Sequence, residues 1–121
     1  MKKDIILLLE SVVGFGNIVK EAIEHEFPKY ICVYNRGYPE CVEDLLCDIN
    51  INRIAVVCAD DYMARIMSRW DGVEQIKKKG YRGPIIHIGS LPPEGRIQLY
   101  SDISSFRIED LVLVMNKYLR S

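Results

Sequence analysis

The sequence predicts an α/β fold in three layers: a doubly wound parallel sheet of about five strands in the order 2-1-3-4-5. Two observations carry this. Short, continuously apolar runs alternate along the chain with apolar residues at helical spacing. Three of those runs, Ile5 to Leu9, Ile54 to Cys58 and Ile85 to Ile88, show almost no polar alternation. Strands of that kind are covered on both faces, and the intervening helices supply the cover through right-handed crossovers.

Ile5-Ile6-Leu7-Leu8-Leu9 is the first strand. Ile18, Val19, Ala22, Ile23 and Phe27 then repeat at three and four residues, and Pro28 ends that helix. Gly14-Phe15-Gly16, between the two, reads as a structural turn. Phosphate-binding turns share its position, but the dinucleotide fingerprint needs a third small residue where Val19 stands. Tyr30 to Tyr34 is the second strand, and Pro39 opens a helix with the stripe Val42, Leu45, Leu46 and Ile49. Ile54 to Cys58 is the third strand.

Met63, Ile66, Met67 and Trp70 resume helical spacing, and Val73 and Ile76 continue it. Asp71-Gly72 divides this stretch into two helical pieces or kinks it. Pro84 to Ile88 is the fourth strand. Pro92, Pro93 and Gly95 forbid an ordinary helix after it, so the fourth helix is expected to be reduced or missing. A fifth strand falls within Gln98 to Ser104. In the closing helix, Ile108 to Leu119, a turn of 3.6 residues puts Ile108, Leu111, Val112, Met115 and Leu119 on one face. Leu113 lies opposite, and Val114 and Tyr118 lie along a flank. These three residues are the predicted partner surface, for a homodimer or a docked protein.

With 121 residues, 49% of them apolar and 27% charged, the chain is expected to form one domain over 1–121. Its 16 basic and 17 acidic residues give a net charge of -1, which argues against nucleic-acid binding by bulk positive charge. The first apolar run ends at Glu10, short of the ~20 residues that span a bilayer, so no membrane partner is expected. Lys2 and Lys3 imitate the start of a leader, but Asp4, Glu10 and the lack of a small-residue cleavage site argue against one. Cys32, Cys41, Cys47 and Cys58 form no CxxC pair and read as reduced thiols of a cytoplasmic protein.

Several single residues admit a chemical reading. Cys58 closes an apolar strand, where ligands bind in open α/β sheets, but no arginine follows at the spacing of a phosphate-cradling cysteine loop, and an inert buried thiol is the simpler reading. His87, between isoleucines, reads as a hydrogen-bonded core residue. Lys77-Lys78-Lys79 with Arg82 reads as a solvated helix end favoured by the helix dipole. Asp60 or Asp61 is a helix N-cap, an acidic metal or phosphate site with Glu10, or both.

Three stretches together resemble the receiver domain of two-component response regulators, a flavodoxin-like fold, in an atypical form. They are Ile6-Leu7-Leu8-Leu9-Glu10; Asp71-Gly72-Val73-Glu74-Gln75-Ile76-Lys77 with Gly83-Pro84-Ile85-Ile86-His87-Ile88; and Asp102-Ile103-Ser104-Ser105-Phe106 leading into Glu109-Asp110-Leu111. The resemblance implies phosphoryl transfer to an aspartate. Such chemistry needs an acid pair for Mg²⁺ after the first strand, an acceptor aspartate ending the third, a hydroxyl ending the fourth and a lysine ending the fifth. Here Glu10 and Ser11 stand at the acid pair. Strand counting puts Cys58 at the acceptor position, with Asp60 and Asp61 two and three residues on. Gly89 or Ser90 falls at the hydroxyl, and Ser104 replaces the lysine.

Without that lysine nothing reads a phosphoryl group at the strand end. The expectation is a pseudo-receiver: a non-enzymatic, cytoplasmic signalling module that binds protein partners and needs no cofactor. Two alternatives stand beside it. One is a phospho-acceptor using Asp60 or Asp61 with Glu10 and Mg²⁺, and the other is a small flavodoxin-like ligand-binding domain or enzyme.

Overall fold

Ile5–Leu9 form β1, and all five side chains are buried, as a strand covered on both faces requires. The structure, a computed structural model, describes residues 2–60, 72–88, 96–100 and 107–119. After β1 come α1 (Val13–Glu26), β2 (Ile31–Asn35), α2 (Pro39–Leu46) and a 3₁₀ turn (Ile51–Arg53) that leads into β3 (Ile54–Asp60). α3 (Val73–Lys78), β4 (Ile85–Ile88), β5 (Ile97–Tyr100) and the closing helix α4 (Ile108–Met115) complete the described elements. The strands pair in the order β2-β1-β3-β4-β5, every pair parallel. The predicted order holds.

The period-two alternation of strand side chains sorts the interior into two layers. Ile6, Leu8, Val56, Cys58, Ile86 and Ile88 meet Val19 and Ile23 of α1 and Leu111 and Met115 of α4 on one face. Ile5, Leu7, Leu9, Val57, Ala59 and Ile85 meet Val42 of α2 and Val73 and Ile76 of α3 on the other. Each large aliphatic side chain so buried contributes roughly 1.5–3 kcal/mol. α2 begins with Pro39 in its first turn, where a missing N–H costs nothing. Gly72 precedes α3 because a Cβ there would lie 2.3 Å from Val42 Cγ2, and its N–H donates to the Gly37 carbonyl at 2.7 Å. The Asp-Gly signal thus marks a close approach of α3 to α2.

Some boundaries differ from expectation. α1 starts at Val13, so Gly14-Phe15-Gly16 belongs to the helix and is not a turn ahead of it. Gly16 is buried under the Tyr34 ring, where a Cβ would fall 2.5 Å from Cζ. Ile18, expected in the buried stripe, is 66% exposed, since Val19 and Ile23 take the inward face. β3 runs two residues beyond Cys58, because Ala59 and Asp60 continue the ladder against His87 and Ile88. β5 begins at Ile97, one residue early. The expected Met63–Trp70 helical piece, the reduced fourth helix at Leu91 to Gly95, and the Ser104 strand end lie outside the described residues. Among the described residues, no helix is long and apolar enough to cross a membrane.

Candidate functional site

Parallel register builds the site. β1 and β3 align Leu9 with Ala59, so the next residues, Glu10 and Asp60, follow side by side at the C-terminal ends of adjacent strands. Open α/β sheets bind ligands at that edge. The extended β3 corrects the strand count: Asp60 terminates the strand, and Cys58 sits inside it, fully buried in the core. Burial, then the negative charges of Glu10 and Asp60 with Cys32 nearby, push the Cys58 thiol well above its ordinary value. A thiol so held is not a nucleophile.

Glu10 and Asp60 are 1% and 3% exposed. Buried carboxylates need internal donors. The Ser11 hydroxyl donates to Asp60 Oδ2 at 3.3 Å, and the Val12 N–H donates to Glu10 Oε1 at 3.1 Å. The Glu10 carboxylate therefore folds back over the start of α1, where the helix dipole favours negative charge. Two residues from β2 and its following loop complete the arrangement, and no local sequence pattern signals either. The Tyr34 hydroxyl donates to the Glu10 carbonyl at 2.7 Å, and Arg36 Nη2 donates to the Ser11 carbonyl at 3.4 Å while its guanidinium lies 5.1 Å from the Tyr38 ring centre. Burial raises the Tyr34 phenol, with Glu10 and Asp60 adding to the rise and Arg36 opposing it.

The other singled-out residues do not join this group. His87 pairs with Ala59 in the ladder, which puts it on the α2–α3 face, away from Asp60. Its Nδ1 lies 3.2 Å from Arg96 Nη1. A guanidinium only donates, so Nδ1 accepts and the imidazole carries its proton on Nε2. Lys77 and Lys78 end α3, with Lys77 3.8 Å from Glu74. Leu113 and Tyr118 are 64% and 42% exposed, while Val114 is half-buried against the core. Asp61, Ser90 and Ser104 lie outside the described residues.

A magnesium ion, which the receiver resemblance of the sequence implies at this edge, does not fit the described donors. Mg²⁺ demands near-octahedral oxygen ligation. Ser11 supplies a neutral hydroxyl where a second acid is needed, and one oxygen of each remaining carboxylate already accepts a protein hydrogen bond. Among the described residues, no three His, Cys, Asp or Glu side chains converge on a common metal position.

The strand order and strand-end geometry define an α/β protein with a doubly wound, all-parallel five-stranded sheet. Among solved structures the chain is similar to the chemotaxis protein CheY4 of Vibrio cholerae, with a TM-score of 0.69 and 13% identity, over 96% of this chain and 98% of that one. It is also similar to a transiently phosphorylated switch of bacterial signal transduction, with a TM-score of 0.60 and 16% identity, over 98% and 95% of the two chains. At that identity the likeness establishes the fold alone. No family model matches the sequence, and no curated protein does.

Proposed function

We propose that the chain is a receiver-like signalling module of the cytoplasm, a single domain that acts by binding protein partners and is not switched by aspartyl phosphorylation. It is not an enzyme in this reading. The observation that carries it is the state of the strand-end carboxylates: Glu10 and Asp60 are buried and serve as acceptors for the Val12 N–H and the Ser11 hydroxyl. An acceptor aspartate must reach a phosphorus atom in line and lose charge repulsion to a metal and a lysine. Ser11 follows Glu10 where a second metal-binding acid would be supplied. The all-parallel sheet and the likeness to CheY4 support the signalling half of the reading. Four unbridged cysteines fit a reducing compartment.

Incubation with acetyl phosphate and Mg²⁺, followed by intact-mass spectrometry, tests the phosphorylation half. The expected result is no phosphoryl adduct. An adduct that disappears in Asp60→Asn would replace this reading with the phospho-acceptor alternative.

A further inference from the structure

A groove of about 700 Å³ runs between α1 and α4, away from the strand-end carboxylates. It is lined by the two most exposed large aliphatic side chains among the described residues, Ile18 at 66% and Leu113 at 64%, together with Ala22 and Val112. Scattered exposed aliphatics need no explanation, but two lining one groove make a patch. Glu21, Glu26 and Glu109 form its rim, all exposed. Among the described residues lining it there is no lysine or arginine, and His25 is the other titratable group.

We infer that this groove binds a basic amphipathic helix of a partner protein. The inference rests on the protein-binding reading above and names the partner's chemistry. Both walls are helices whose backbone groups bond internally, so the groove offers side chains and no sheet edge, which suits a helix laid in with apolar residues at i, i+3 or i+4 and i+7. The eight-residue interval from Ile18 to Glu26 spans about 12 Å, roughly two helical turns, which matches that spacing. The acidic rim selects the partner's flanking charge. It opposes anionic lipid and nucleic acid. It also opposes a symmetric dimer, because a two-fold interface sets the patch against itself and would bring like carboxylates together.

The test uses the full chain and two 18-residue synthetic peptides that share one leucine face, flanked by lysine in one and by glutamate in the other. Fluorescence anisotropy measures affinity, and amide shifts locate the site. The lysine peptide is expected to bind, to move the amides of Ile18, Ala22, Val112 and Leu113, and to weaken as salt rises from about 50 to 500 mM. The glutamate peptide is expected not to bind. Reversing the rim with E21K, E26K and E109K together should weaken the lysine peptide about tenfold or more and admit the glutamate peptide. Leu113→Glu, exposed and so neutral to folding, should also weaken the lysine peptide.

Equal binding of both peptides, shifts elsewhere, or no binding would overturn the inference. So would self-association whose shifts map to the groove, which assigns it to a second copy. The acetyl phosphate result is independent of all these outcomes, so the functional reading and the groove can fail separately.

Discussion

Glu10 and Asp60 at the strand ends are 1% and 3% exposed, whereas Glu21, Glu26 and Glu109 stand in solvent around the α1–α4 groove. The inward pair is held by internal donors, a serine hydroxyl and the backbone N–H of Val12. The outward three frame an apolar patch. The difference lies in what each set of charges has left to offer. A buried carboxylate whose hydrogen bonds are made is part of the fold, and disturbing it costs stability. An exposed carboxylate contributes little to stability and keeps its field for an incoming partner. Of these two sets among the described residues, the second is the one exposed to solvent.

Several substitutions sharpen or break that contrast. The largest effect is expected within α1 itself, where Ile18 lines the groove and Ile23, five residues on, packs in the core. Ile23 is fully buried, so Ile23→Ala should cost about 2–5 kcal/mol in urea unfolding. Ile18→Ala should change stability by no more than about 0.5 kcal/mol. Equal costs would mean that the groove wall is really core.

Gly72→Ala probes the sheet face that carries neither region. Its Cβ would meet Val42 Cγ2 at 2.3 Å and Val42 Cβ at 2.5 Å. The new methyl cannot be relieved by a flexible side-chain end, and a loss of about 1–3 kcal/mol is expected from overpacking. A neutral result would show that α2 and α3 are free to move apart.

Ser11→Ala removes the hydroxyl that donates to Asp60. A cost of about 1–2 kcal/mol by thermal unfolding is expected, since a buried acceptor loses a donor. No cost would show that the strand-end carboxylates are not structural. Ser11→Asp is the complementary change: it supplies a second acid, should destabilise the metal-free protein by like-charge repulsion, and should bind Mg²⁺ in titration calorimetry. The natural chain should bind it more weakly than about 1 mM.

The smallest effect concerns the ion pair at the opposite end of the sheet. Arg53 Nε and Nη2 donate to the two Asp4 oxygens at 2.9 and 2.8 Å. The Arg53 hydrogen bonds hold the Asp4 carboxyl below its ordinary value of 3.8. A depressed folded pKa contributes stability that is present above 3.8 and is lost as pH falls through the folded value. Asp4→Asn should therefore flatten the acid limb of a Tm-against-pH curve slightly and leave Tm at neutral pH nearly unchanged. A large drop at pH 7 would contradict this.

Much of the architecture was legible from apolar runs alone. β1, β3 and β4 carry little polar alternation because helices cover both their faces, and that pattern points to a parallel sheet with these three strands at its centre. Pro39 and the Asp71-Gly72 pair located α2 and α3 through a missing N–H and a missing Cβ. The failures have physical causes too. β3 reads as ended at Cys58 because a small alanine and a charged aspartate look like loop, yet the ladder to β4 and the Ser11 hydroxyl accommodate both. Ile18 fits a three-four repeat with Ala22, but α1 carries apolar residues on two sides and periodicity cannot say which side faces the sheet. Tyr34 and Arg36 reach the strand ends only through the fold. Nothing local in the sequence announces a hydroxyl that crosses from β2 to the Glu10 carbonyl.

The proposed function treats Glu10, Ser11 and Asp60 as a structural cluster and not a phosphoryl switch. Its most direct test is an amide-shift titration of the whole chain with Mg²⁺ and beryllofluoride, which mimics an acyl phosphate. The expected spectrum is unchanged at Glu10, Ser11 and Asp60 and unchanged along α1 and α4. Saturable shifts at these three residues, above all if they spread to the groove residues Ile18 and Leu113, would contradict the claim and show a working switch.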